Sequence, residues 1–199
     1  MKWLPWLDGL RGISILLVII SHFCKNVGLK EPFDSLIAPL GRAGVSLFFV
    51  ISGYIITSSL IKEKESVGAV NLKNFYKRRI FRIVPAALLY RVMYGSWQFL
   101  RKETVNKDEF LAVILLAAGL WKVTTWFTGH FWSLCVEEQF YLVMPIFLKK
   151  HGIKSLRNAC LFFVITAPFI RSALYLAAGS YFDMSIFWVV DSLAAGILI

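Results

Sequence analysis

Apolar stretches of near-membrane length, almost free of charge, recur along the chain at residues 10–24, 43–61, 83–100, 110–121, 131–148, 158–182 and 184–199. Hydrocarbon offers the backbone no water, so a segment of about 20 apolar residues is stable there only if it satisfies its own N–H and C=O groups as a helix. The repetition predicts an all-α fold, a polytopic membrane bundle of about six to seven transmembrane helices. Composition agrees: the 199 residues are 58% hydrophobic and 17% charged, with a mean hydropathy of +0.66, well beyond the usual soluble mix. No internal repeat or soluble domain interrupts the pattern, so residues 1–199 read as one membrane domain.

The charges lie mainly between the apolar runs. A net charge of +10 would suggest nucleic acid in a soluble protein, but here Lys and Arg are placed to set membrane orientation, and nucleic acid is not an expected partner. Residues 62–82 hold Lys62, Lys64, Lys73, Lys77, Arg78, Arg79 and Arg82 against Glu63 and Glu65, which assigns them to the cytoplasm and the N-terminus with them. The first two spans then form a hairpin, joined outside by residues 25–42, a loop broken by Pro32 and Pro39. A second basic cluster, Lys149, Lys150, Lys154 and Arg157, also belongs inside, yet three full crossings between residues 83 and 148 would put it outside. One intervening segment is therefore expected to be short or re-entrant, either 131–148 or the one containing Arg91. Lys2 precedes an apolar run, but no small-residue cleavage site follows, so residues 10–23 read as a retained helix. Cys24, Cys135 and Cys160 lack metal-ligand spacing and read as apolar fillers, and no metal site is expected.

Ionisable groups inside apolar helices are costly and face a partner or a cavity. At about 100 degrees per residue, Arg11 and His22 return to within about 20 degrees of each other, about 16 Å apart along the axis. Asp8, Ser14 and Ser21 fall on or beside that face. Arg11 reads equally as an anchor to lipid headgroups, and His22 as an interfacial histidine bonded to a neighbouring helix. Glu137 and Glu138 stand in an aromatic, apolar stretch; pointing about 100 degrees apart, they cannot both face one partner. One is expected at a site, the other in a cap or an ion pair, with Arg42, Arg79 or Arg82 as candidate partners. Arg79 and Arg82, one turn apart at the cytoplasmic entrance of a span that Pro85 helps to start, either fix topology or offer a pair of guanidinium forks to phosphate. Gly41, Gly44 and Gly53 are expected to permit close helix packing, and Arg171 and Asp191 to neutralise each other.

Five stretches, in this order, resemble acyltransferase family 3: "LDGLRGISILLVIISH", "GRAGVSLFFVISGYII", "FYKRRIFRIVP", "HFWSLCVEEQFYLVMP" and "VVDSLAAGILI". Two positions depart from commoner forms of the pattern, Ser46 where an acidic residue often follows Gly-Val, and Cys135 where serine is usual. Family members usually continue through further membrane helices, so the resemblance implies that residues 1–199 are the N-terminal portion of a longer domain. It also implies a multi-pass protein of the cell inner (plasma) membrane, with acyl-CoA, usually acetyl-CoA, as cytoplasmic donor substrate and no permanently bound cofactor. The implied acceptor is a hydroxyl of a carbohydrate or lipid-linked surface glycan. Arg11, His22, Arg79 and Arg82 become the positions expected to matter most, with Glu137 and Glu138 next.

Acyl transfer from a thioester to an alcohol needs a base for the hydroxyl proton. His22 is the side chain on the first helix with an ordinary pKa suited to that role, a glutamate would orient it, and Arg79, Arg82 and Arg11 would bind the donor. Attack through a covalent acyl-His22 intermediate is the other chemical route. Two alternatives to an enzyme are a transporter of a surface lipid or acyl group that uses the same polar stripe, and an inactive remnant.

Overall fold

The computed structural model describes residues 5–28, 33–101, 131–178 and 185–199. Among them every regular element is helical: α1 (Pro5–Val27), α2 (Phe33–Val67), α3 (Leu72–Leu100), α4 (Phe131–Ala178) and α5 (Ser185–Leu198). Three helices are long and apolar enough to cross a membrane, spanning Pro5–Val27, Ser35–Val67 and Trp132–Ala177. The apolar run at 110–121 lies outside the described residues.

The described residues form two compact units, one drawn from Met1–Lys62 and Lys150–Ile199, the other from Glu63–Lys149. In the first, α1 and α2 pack along a stripe of small residues. Leu7 and Ser14 are buried, and Ser21 continues the seven-residue spacing that keeps one helix edge facing its partner. Ser14 and Ser21 fill the space beside Gly44 and Gly41, where any added methyl would collide with them. Since Gly41 lies against Ser21 and Gly44 against Ser14, the two helices run antiparallel, as the expected hairpin requires. A closer approach joins α2 to α5. A β-carbon on Gly53 would strike the Leu193 carbonyl oxygen, and one on Gly196 the Val50 carbonyl oxygen. Arg171 and Asp191 meet at 2.8 Å, as their opposite charges in adjacent apolar runs foretell.

In the second unit, Asn71 caps α3: its side chain accepts from the Asn74 N–H at 3.0 Å, satisfying a donor that the helix leaves unpaired. Glu63 braces this entry, accepting from the Asn71 N–H at 3.2 Å and pairing with Arg78 at 3.7 Å. Tyr76 donates to the Leu142 carbonyl at 2.8 Å, tying α3 to α4. Buried Phe75, Tyr141, Met144 and Leu148 make up much of this unit's core.

Two prolines sit differently from expectation. The outer loop was expected to reach residue 42, but α2 already begins at Phe33 and contains Pro39. Pro85 does not start a helix; it lies inside α3, which begins at Leu72. Each proline forfeits one backbone hydrogen bond, and in both helices the flanking turns continue across the loss. A separate break falls at Gly152, whose φ of 79° and ψ of 178° are non-helical, so α4 is two helices meeting at a kink. That backbone conformation is essentially glycine's alone. The kink sits within the second basic cluster, between the two apolar runs 131–148 and 158–182.

Outward faces remain apolar. Phe81, Leu89, Val92 and Met93 on α3, and Phe162, Ile165 and Phe169 on α4, are all exposed. Such surface is what a lipid-facing helix presents.

Candidate active site

Arg11 belongs to the interior of the α1–α2 pair. Its Nη2 donates to the Ser52 hydroxyl at 3.2 Å, and its guanidinium carbon lies 5.5 Å from the Phe48 ring centre. The buried Nε has no hydrogen-bond partner among the described residues. A headgroup anchor would extend away from the neighbouring helix; Arg11 reaches into it. Ser14 donates to the Arg11 carbonyl at 2.7 Å and is itself fully buried.

His22 stands one residue past the Leu7, Ser14, Ser21 stripe, which turns it about 100 degrees away from Ser21. Its side chain is exposed, and Nδ1 lies 2.9 Å from the Val18 carbonyl one turn back on α1. A carbonyl can only accept, so in this bond Nδ1 carries the proton and the neutral ring keeps its lone pair on Nε2. The imidazole is thus oriented from within α1, by a backbone oxygen rather than by a carboxylate.

The second unit holds the other expected residues. Glu137 and Glu138 are both buried, at 7% and 9% exposure. Neither forms an ion pair with an arginine among the described residues. Glu137 instead accepts a short hydrogen bond from the Tyr141 hydroxyl, one turn along α4. Glu138 points elsewhere, as the helical angle requires, and its buried Oε1 has no partner among the described residues. A carboxylate oxygen left bare in an apolar setting is expensive.

Arg79 approaches the same helix through its face. Its guanidinium carbon lies 4.3 Å from the Tyr141 ring centre and 5.7 Å from that of Phe75. Its N–H groups carry no hydrogen bond among the described residues. Arg82, one turn on, is exposed. Together with Lys73, Lys77 and Arg78 they load the opening turns of α3 with positive charge, where the helix dipole is already positive. That arrangement costs helix stability and suits an anion.

Ser52, Phe48, Phe75 and Tyr141 were not singled out from the sequence. Ser52 and Phe48 carry no local signal, since they meet Arg11 through packing between helices, whereas Phe75 stands four residues before Arg79 on the same helix. Glu137 and Tyr141 do carry one: they are four residues apart, the spacing that brings side chains together on a helix.

The acyltransferase domain model of the Acyl_transf_3 family matches residues 4–199. The chain belongs to this family. Relatives include the Staphylococcus aureus (strain COL) protein named "Putative O-acetyltransferase SACOL0978", 36% identical over 74% of this chain and 25% of its own length. O-acetyltransferase OatA of S. aureus (strain NCTC 8325 / PS 47) is 34% identical over 73% of this chain and 24% of its own. The chain therefore aligns with about a quarter of the length of these curated relatives. No solved structure matches it.

Proposed function

We propose that this chain belongs to a membrane O-acyltransferase that moves an acyl group, in the first instance acetyl, from acyl-CoA to a hydroxyl of a carbohydrate or surface glycan. The observation that carries the reading is the state of Arg79: a guanidinium over the Tyr141 ring, without a hydrogen bond among the described residues, on a helix opening crowded with positive charge. Such a fork matches the oxygens of a phosphate bidentately. Arg82 supplies the second fork, and a coenzyme A donor supplies phosphates for both. Arg11, bonded to Ser52, is a further donor-binding candidate.

His22 is assigned the base. With Nδ1–H donated to the Val18 carbonyl, Nε2 is the nitrogen left to take the acceptor's hydroxyl proton. The alkoxide oxygen then bonds to the thioester carbonyl carbon, the carbon–sulfur bond breaks, and the sulfur leaves as thiolate, to which the imidazolium returns the proton. Glu138, with an oxygen free of any partner among the described residues, is the carboxylate available to accept a hydrogen bond from substrate. The reading places the protein in the plasma membrane with a cytoplasmic N-terminus and six to seven spans.

The test is His22→Gln in the full-length protein that carries this chain, reconstituted with labelled acetyl-CoA and isolated cell-surface polysaccharide. General-base removal is expected to lower ester formation by about 100-fold or more while membrane insertion is unchanged. Ester formation at the wild-type rate would refute the assignment, and translocation of glycan or acyl groups with no new ester bond would mark a transporter.

A further inference from the structure

We propose that Tyr141 is a positioning residue for the donor, acting through Arg79. The proposal rests on the reading of Arg79 as a phosphate-binding residue and adds what fixes its orientation. Tyr141 is essentially fully buried on α4, and the crossing of α3 over α4 sets its ring under the Arg79 guanidinium at 4.3 Å. Attraction between a cation and the electron-rich ring face strengthens where water is excluded. The stack does more than attract. A guanidinium held over one ring and touched by a second has less freedom to swing, so its N–H groups are partly positioned before the donor arrives.

Two further contacts hold the ring in register. The Tyr141 hydroxyl donates to Glu137, which restrains the ring from within α4 and places a carboxylate at its edge. Tyr76 donates to the carbonyl of Leu142, the very next residue, at 2.8 Å, and its neighbour Phe75 packs edge-on to it at 5.4 Å while touching Arg79 from its own helix. The α3–α4 crossing is therefore pinned beside the stack. Glu137 forms no ion pair with an arginine among the described residues; its carboxylate holds the tyrosine over which Arg79 lies. This gives the first of the two adjacent glutamates a role distinct from the second, whose Oε1 stays bare.

The experiment measures the dissociation constant of acetyl-CoA for the full-length protein in lipid nanodiscs, a readout that needs no acceptor. Tyr141→Leu is expected to raise it about tenfold, the worth of a desolvated cation–π contact. Tyr141→Phe keeps the ring and loses the hydroxyl, and Glu137→Gln keeps the hydrogen bond and loses the charge; each is expected to raise it about two- to threefold. Arg79→Met removes the cation and its N–H donors, and in that background Tyr141→Leu, Tyr141→Phe and Glu137→Gln should add almost nothing. A purely structural tyrosine would weaken binding equally in both backgrounds, and that result overturns the proposal. If Arg79→Met weakens binding and none of the Tyr141 or Glu137 changes does, the positioning role fails while the donor-site reading stands. If Arg79→Met leaves affinity unchanged, both fail together.

Discussion

Arg171 and Asp191 hold each other at 2.8 Å with about a fifth of each side chain exposed. Neither charge is supported by water to the extent a surface pair would be, so removing one partner leaves the other in an apolar setting. Asp191→Asn is expected to cost about 2 kcal/mol of stability, somewhat below the loss for a fully buried pair. Replacing both, as Arg171→Met with Asp191→Leu, should cost less than either single change, because no orphan charge remains. Thermal unfolding in detergent of the wild type, Arg171→Met, Asp191→Leu and the double variant measures this directly; additive losses would contradict it. The pair was legible in the sequence because two opposite charges inside long apolar runs have few ways to be satisfied. The glutamates were harder. Their divergence follows from helical geometry, but looking for a cap or an ion pair hid the tyrosine one turn away whose hydroxyl donates to Glu137.

Helices in lipid gain little from apolar contact with one another and depend on close backbone approach. At the α2–α5 crossing Gly53 and Gly196 are in contact with opposing backbone, so an added methyl has only main chain to displace. Gly53→Ala or Gly196→Ala is expected to lose about 1–3 kcal/mol through overpacking. Gly95 on α3 has open space where a β-carbon would go, and Gly95→Ala should gain about 0.5–1 kcal/mol from helix propensity. The same unfolding measurement separates the signs, and a destabilised Gly95→Ala would count against the packing described. Most helix locations could be read from apolar length alone, and the small-residue face of α2 from Gly41, Gly44 and Gly53. Helix starts could not. Asn71 and Glu63 fix the beginning of α3 through capping and a contact across the intervening turn, which outweighs the signal from Pro85 farther along. On α1, the packing stripe runs through Leu7, Ser14 and Ser21 rather than along the line from Arg11 to His22. That leaves Arg11 at the edge of the interface and His22 beyond it.

Charge distribution and span count gave conflicting sides for the second basic cluster, and α4 bears on the conflict. Its kink at Gly152 lies among Lys149, Lys150, Lys154 and Arg157, so the cluster is the polar break between two apolar helices. Charges of this sign in a short connection favour the cytoplasm. Two crossings between residues 82 and 149 satisfy both clusters, and α3, 29 residues long, and the part of α4 before Gly152 each have the length for one. Lys73 and Lys154 are both exposed. With Cys24, Cys135 and Cys160 replaced by alanine, Lys73→Cys and Lys154→Cys in the full-length protein should resist a membrane-impermeant maleimide in intact cells and react in inverted vesicles. Asn26→Cys, exposed at the far end of α1, should show the opposite pattern. Labelling of position 154 from outside while position 73 stays protected would mean an odd number of crossings between them, and would set span count above charge in this chain.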